Sequence, residues 1–91
     1  MKTCAVTITN NLGLHARAAA RFVHTASGFH AQIRVARGDR EMDGKSIMGL
    51  LLLAAARGTV ITITARGSDE DAAVATLCAL VERGFDEAAC N

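Results

Sequence analysis

Hydrophobic and polar residues alternate along four short stretches of the chain, as they do in half-buried β-strands. In the first stretch Cys4, Val6 and Ile8 share one face, and the last stretch is the richest in β-branched residues. Gly38-Asp39 is typical of a two-residue hairpin turn, and it separates the second stretch from the third. The pattern predicts strands at 3–9, 31–37, about 40–43 and 59–65.

Three further segments favour helices, at 16–27, at about 47–56 and between Ser68 and Arg83. We expect Gly28 to end the first helix in the left-handed conformation, and Gly58 to end the second. The hydroxyl of Ser68, followed by three acidic residues, is expected to cap the third helix. The predicted apolar stripes are Ala16, Ala19, Ala20, Val23 and Ala26 in the first helix, and Val74, Leu77, Cys78 and Val81 in the third.

The predicted order is β-α-β-β-α-β-α, and it indicates an α+β fold in two layers. Helices that are apolar on one side pack against one face of a sheet, which is the arrangement we expect here. A chain of 91 residues is the size of one domain. We therefore expect a single domain over 1–91, with its core at about 3–84 and a short tail at 85–91 that frays.

Composition excludes several classes of function. With 51% hydrophobic and 21% charged residues, the chain is not of the disordered class. Ten Lys and Arg against nine Asp and Glu leave no strongly basic face, and three Phe without Trp or Tyr leave no stacking platform. We therefore expect no nucleic-acid partner. The longest apolar run, at 47–56, has about half the length of a membrane span, so we expect no membrane segment either.

The three cysteines indicate a reducing compartment. Their number is odd and no C-x-x-C pair occurs, so neither a disulfide framework nor a thiolate zinc site is expected. Cys4 and Cys78 fall in apolar patterns typical of small core residues, whereas Cys90 is expected to be exposed near the terminus. Since no signal-peptide pattern is present, we expect a cytoplasmic protein.

The segment Leu12-Gly13-Leu14-His15-Ala16-Arg17 places a histidine immediately before a predicted helix. The first N–H groups of a helix have no internal partners, and its N-terminus carries partial positive charge, so an anion is stabilised there. An imidazole nitrogen is a competent nucleophile and can carry a phosphoryl group covalently. Arg17 adds a planar guanidinium suited to phosphoryl oxygens.

This pattern alone leaves open that His15 is an ordinary histidine without a chemical role. His24 and His30 lack an adjacent arginine at a helix start, and we expect them to be a solvated helix residue and a strand-entry residue. Ser46 precedes the second helix and is expected to cap it. The apolar run that follows cannot bury every side, so part of it is expected to form an exposed docking face or, alternatively, to be buried without a partner role.

Two motifs together resemble those of a known family. The segment 12–17 is similar to the active-site motif of the histidine-containing phosphocarrier (HPr) family of the phosphoenolpyruvate-dependent phosphotransferase system. The segment Lys45-Ser46-Ile47-Met48-Gly49-Leu50 resembles that family's second motif. The separation of the motifs, the chain length and the element order also match, and the resemblance covers roughly 3–84. It implies an open-faced β-sandwich with sheet order 1-4-2-3 and three helices on one face.

The resemblance also implies roles for individual residues. His15 would accept the phosphoryl group on Nδ1, Arg17 would assist it, and the backbone of Ala16, Arg17 and Ala18 would cradle it. Ser46 would be a regulatory phosphorylation site. Partner docking would fall to Ile47, Met48 and Leu51.

The partners implied are enzyme I, charged by phosphoenolpyruvate, and an enzyme IIA that receives the phosphoryl group, with an HPr kinase acting on Ser46 in many members. The protein would be a monomeric carrier rather than a stand-alone catalyst, with no cofactor and no metal. Many members have a proline where this chain has Ala18, and a nitrogen-related branch (NPr) includes members without it, so the sugar-transport and regulatory branches both stay open.

Two other functions compete with the phosphocarrier. One is a regulatory binding module, controlled by Ser46 phosphorylation, that transfers little. The other is a small α+β domain that binds metal or RNA, which the absence of ligand spacing and of a basic face opposes.

Overall fold

The computed structural model describes residues 1–87 and consists of a four-stranded antiparallel sheet with three helices packed on one face. The order along the chain is the predicted β-α-β-β-α-β-α. The strands are β1 (Lys2–Thr7), β2 (Gln32–Arg37), β3 (Arg40–Asp43) and β4 (Val60–Arg66). The helices are α1 (Ala16–Ala26), α2 (Ile47–Leu53) and α3 (Glu70–Glu82).

The strand order in the sheet is β1-β4-β2-β3, which confirms the expected 1-4-2-3 topology. β4 is central and pairs with β1 on one side and with β2 on the other. β2 and β3 form the predicted hairpin, in which Arg37 pairs with Arg40 across Gly38-Asp39. Gly38 has a φ of +60°, which a two-residue turn of this kind requires.

The core lies between the sheet and the helices. Alternate residues of the strands point into it, as the period-two pattern predicts, and α1 and α3 cover them with Phe22 and Leu77. The fully buried strand residues are Ile33, Val35, Ile61, Ile63 and Ala65.

The buried stripe of α1 differs from the predicted one. Ala16 and Ala20 are exposed, whereas Ala18 and Phe22 are buried together with Ala19 and Ala26. In a segment where alanine occupies many positions, small side chains do not define one face. The position of the large Phe22 side chain in the core decides which face is buried.

Two helix ends were also predicted wrongly. Gly28 does not take the left-handed conformation; α1 ends at Ala26, and its C-cap residue Ser27 remains right-handed. α2 ends at Leu53 rather than near residue 56, because Ala54 takes the left-handed conformation with a φ of +51°. The chain thereby leaves the helix early, and the carbonyl of Ala55 becomes available to another loop.

The expected Ser68 cap of α3 is wrong, and the residue that does begin the helix makes no side-chain hydrogen bond to the helix itself. Asp69 is the N-cap residue, and its two carboxylate oxygens accept hydrogen bonds from the backbone N–H of His30 (2.7 Å) and Ala31 (2.8 Å). These hydrogen bonds, that from His30 above all, lower the pKa of Asp69. Glu70 accepts a hydrogen bond from the N–H of Gly67 at 3.0 Å, which completes this helix start.

Cys4 and Cys78 form a disulfide, so the expectation that they are unpaired core thiols is wrong. Cys4 shares the helix-facing side of β1 with Val6, and α3 packs over that strand. The two cysteines are 74 residues apart in sequence, so only the packing of α3 on β1 brings them together. Cys90 lies outside the described residues.

Candidate functional site

The loop before α1 is held against the segment that follows α2. The N–H of Leu14 donates to the carbonyl of Ala55 at 2.9 Å, and the Leu14 side chain is buried. Gly13 has a φ of +65°, and a Cβ atom at this position would lie 2.6 Å from the Ala55 oxygen and 2.9 Å from Cα of Ala56. Only glycine permits this close approach. The approach places His15, two residues further along the chain, at the start of α1.

His15 is the N-cap residue of α1. Its backbone is extended (φ −81°, ψ −179°), and its carbonyl accepts the N–H of Ala19 at 2.8 Å. Its side chain makes no capping hydrogen bond and is 26% exposed. The imidazole is therefore available for contacts outside the helix, beside N–H groups of the first turn that have no partner within the helix.

Arg17 and Ala18, in the first turn of α1, differ in exposure. Arg17 is exposed, and its guanidinium makes no ion pair with any residue in the range 1–87, whereas the side chain of Ala18 is buried. A surface pocket joins this turn to the loop before it. The pocket is lined by Leu12, His15, Ala16, Arg17 and Glu87.

Two residues of this site were not identified from the sequence, Asn10 and Glu87. The Glu87 carboxylate lies 2.6 Å from Nε2 of His15 and is 5% exposed. Asn10 is buried, and its Nδ2 donates both to the carbonyl of Gly13 (2.8 Å) and to the Glu87 carboxylate (2.9 Å). No sequence pattern indicates that residue 87 lies near residue 15. Asn10 belongs to a segment whose composition is typical of an ordinary loop.

The chain directly after α3 packs against the domain at Phe85, where we expected the start of a frayed tail; residues 88–91 of that tail lie outside the described residues. Phe85 is fully buried, and its carbonyl accepts a hydrogen bond from the Arg21 guanidinium at 2.7 Å. Gly84, Phe85 and Asp86 all have a positive φ, between 60° and 70°, which turns the chain back toward α1. The Arg83 guanidinium, hydrogen-bonded to Asp86 at 2.7 Å, lowers the pKa of that carboxyl group.

The start of α2 carries the second motif. Ser46 is the N-cap residue, and its Oγ accepts a hydrogen bond from the N–H of Gly49 at 3.0 Å, which confirms the predicted cap. Ile47 and Met48 are exposed, with Met48 at 67%, whereas Leu51 is half-buried against the core.

Leu12 and Leu52 are also exposed apolar side chains, at 66% and 54%, in addition to the docking residues that the resemblance implies. Leu12 lines the same pocket as His15, and α2 packs against α1. Within the part of the chain that is described, no group of three or more His, Cys, Asp or Glu side chains is arranged to hold a metal ion. No helix among residues 1–87 has the length and apolar character needed to cross a membrane.

Comparison with known proteins identifies the family. The family model described as "PTS HPr component phosphorylation site" matches residues 2–83, which is nearly the whole chain. The chain belongs to the HPr family. Membership of this family supports a phosphocarrier role in the phosphotransferase system and implies partners of that system in general.

Relatives of both branches of the HPr family are similar to this chain. Phosphocarrier protein NPr of Shewanella violacea is 47% identical over 83 residues, which span 91% of each chain. Phosphocarrier protein HPr of Pseudomonas aeruginosa is 46% identical over 88 residues, or 96% of this chain and 98% of the relative. A crystal structure of HPr-C-His from Thermoanaerobacter tengcongensis superimposes with a TM-score of 0.92 at 43% identity, covering 97% of this chain and 99% of that one.

Proposed function

We propose that this protein accepts a phosphoryl group from enzyme I on Nδ1 of His15 and passes it to an enzyme IIA. The observation that carries the proposal is the position of His15, whose partly exposed imidazole lies at the N-terminus of α1 in a member of the HPr family. A carrier must present its group to two different partners in turn. An imidazole at the surface meets this requirement, and its bond to phosphorus is labile enough for onward transfer.

The first turn of α1 supplies the groups that stabilise the phosphoryl anion. The N–H groups of Ala16, Arg17 and Ala18 lie at the positive end of the helix and have no carbonyl four residues earlier within the helix. The Arg17 guanidinium, which has no acidic partner among residues 1–87, is available to pair with phosphoryl oxygens. No cofactor or metal takes part in this mechanism.

We further propose that partners dock on the apolar surface at the start of α2. Ile47 and Met48 are exposed there, which supports a contact role, while Leu51 contributes with the part of its side chain that the core leaves accessible. The protein acts as one HPr-like domain over 1–91, as a monomer in the cytoplasm. Relatives named HPr and NPr are equally similar, so both the sugar-transport and the nitrogen-related branch are retained.

Phosphorylation of Ser46 by an HPr kinase is the regulatory part of the proposal. Its Oγ is only partly buried and lies at the N-terminus of α2, where a phosphate is electrostatically tolerated. A dianion next to Ile47 and Met48 would oppose apolar docking. We therefore expect a Ser46→Asp variant to accept phosphoryl groups from enzyme I more slowly than the wild type.

The deciding experiment is incubation with phosphoenolpyruvate and enzyme I, followed by measurement of the intact mass. The wild type and a His24→Ala variant should gain one acid-labile phosphoryl group, and a His15→Ala variant should gain none. His24 is the matched control because it is an exposed histidine in the last turn of the same helix. If the wild type gains nothing under conditions that charge a known carrier, the protein is instead a regulatory binding module.

A further inference from the structure

We propose that Glu87 is a positioning residue for phosphoryl transfer, because it holds the proton of His15 on Nε2 and thereby leaves Nδ1 as the nucleophile. This inference rests on the proposed function and adds a residue that lies beyond the segment matched by the family model, which ends at residue 83.

The contact between the two side chains determines the tautomer. The Glu87 carboxylate oxygen is 2.6 Å from Nε2 of His15, which is the distance of a strong charge-assisted hydrogen bond. An ionised carboxylate can only accept, so Nε2 is the donor and carries the hydrogen. In a neutral imidazole the other nitrogen, Nδ1, then has the free electron pair.

The Glu87 carboxylate is itself held in place. Its side chain is 5% exposed, and the same oxygen accepts a second hydrogen bond, from Nδ2 of Asn10 at 2.9 Å. Asn10 also donates to the carbonyl of Gly13, in the loop that positions His15. One buried amide thus connects the loop and the carboxylate, and it fixes the direction from which Glu87 meets the imidazole ring.

The backbone before Glu87 is strained in a way that places it at the site. Phe85 and Asp86 both have a φ of +60°, which residues other than glycine rarely adopt. Burial of Phe85 and the hydrogen bond from Arg21 to its carbonyl hold this conformation. Such strain is concentrated at functional sites. Here the turn that these two residues form directs the chain from the end of α3 back to the start of α1.

The transfer step uses this arrangement without moving a proton. The Nδ1 electron pair of His15 attacks the phosphorus of the donor phosphohistidine, a new N–P bond forms, and the pair of the broken N–P bond returns to the donor nitrogen. The hydrogen on Nε2 stays in place while the ring becomes cationic, and the Glu87 carboxylate stabilises that charge. Onward transfer reverses the same steps.

The test compares Glu87→Ala and Glu87→Gln with the wild type. Glutamine keeps a neutral oxygen acceptor for Nε2–H and for Asn10, whereas alanine removes it. Asp86→Asn is the matched control, because the Asp86 carboxylate pairs with Arg83 at the surface rather than with His15. Thermal unfolding of each variant establishes that it is folded.

Two readouts separate positioning from general stability. Proton NMR of the free protein should show a His15 Nε2–H resonance protected from exchange in the wild type, Asp86→Asn and Glu87→Gln, and should lose it in Glu87→Ala. Rates of phosphoryl acceptance from enzyme I should fall roughly tenfold in Glu87→Ala, as loss of a charge-assisted hydrogen bond implies. The rate for Glu87→Gln should lie between those of the wild type and Glu87→Ala. The decrease is expected in the kcat of enzyme I with this protein as phosphoryl acceptor, with the KM for this protein unchanged.

The outcomes distinguish this inference from the function on which it rests. If the wild type accepts no phosphoryl group, the proposed function fails and the inference with it. If the wild type is charged normally but folded Glu87→Ala and Glu87→Gln match its kcat, only the inference is overturned. Absence of the protected Nε2–H resonance in the wild type would also overturn it, independently of any kinetics.

Discussion

Replacement of Gly13 by alanine tests how the loop before α1 is held. A Cβ atom at this position would meet the backbone of the segment after α2, at 2.6 Å from the oxygen of Ala55 and 2.9 Å from Cα of Ala56. Backbone atoms cannot rotate away as a flexible side chain does. The φ of +65° adds a conformational penalty that is independent of space.

Gly38 provides a control that separates these two effects. Its φ of +60° is nearly the same, but a Cβ atom there would have no neighbour within 4 Å. An alanine in the left-handed conformation costs about 1 kcal/mol after the unfolded chain's reduced entropy is taken into account. We expect Gly38→Ala to lower the free energy of unfolding by about this amount.

Gly13→Ala should be more destabilising, by about 3 kcal/mol in all, because forced displacement in a packed region adds roughly 2 kcal/mol. A domain of this size is stable by about 5–10 kcal/mol, so the variant should still fold, and urea unfolding can measure both changes. Equal losses for the two variants would refute the close approach of Gly13 to Ala55, and with it our account of how His15 is positioned.

Three further predictions concern the cap of α2, the start of α3 and the disulfide. Ser46→Ala removes the acceptor for the Gly49 N–H and should lower the free energy of unfolding by about 1 kcal/mol in urea. Because the pKa of Asp69 is lowered in the folded protein, its contribution to stability is complete above about pH 4, and it is lost as the pH falls through that lowered pKa. Asp69→Asn should therefore flatten the acid side of the stability–pH curve. Without reductant, the Cys4–Cys78 disulfide leaves one of the three cysteines open to N-ethylmaleimide in denaturant, and reduction should expose all three.

Each of these predictions has a result that would contradict it. Ser68 is exposed and its hydroxyl makes no hydrogen bond within residues 1–87, so Ser68→Ala should leave the free energy of unfolding unchanged. If Ser68→Ala lowered it as much as Ser46→Ala does, the loss in Ser46→Ala could not be assigned to the cap of α2. Parallel curves for the wild type and Asp69→Asn between pH 5 and pH 3, an interval of roughly one unit on either side of an ordinary aspartate pKa, would mean that the hydrogen bonds from His30 and Ala31 do not stabilise the fold. Labelling of all three cysteines before reduction would exclude the disulfide.

Periodicity predicted the elements of this fold well and the ends of its helices less well. The strands keep their predicted inward faces because a period of two leaves no choice of face once one side is apolar. In α1 the alanines fit more than one face, and the packing of Phe22 selects the buried one. α2 ends early because Ala54 takes the left-handed conformation, which alanine does not favour by itself; the Arg37 guanidinium donates a hydrogen bond to its carbonyl at 3.3 Å.

The sequence by itself determined the element order, the hairpin at Gly38-Asp39, the helix-capping serine and the histidine–arginine pair, because each depends on neighbours close in the chain. The tertiary structure alone decided that Cys4 meets Cys78 and that Glu87 meets His15. These pairs are 74 and 72 residues apart. Such contacts follow from how α3 packs across the sheet and where the chain turns after it. Local patterns of hydrophobicity predict neither the packing nor the turn.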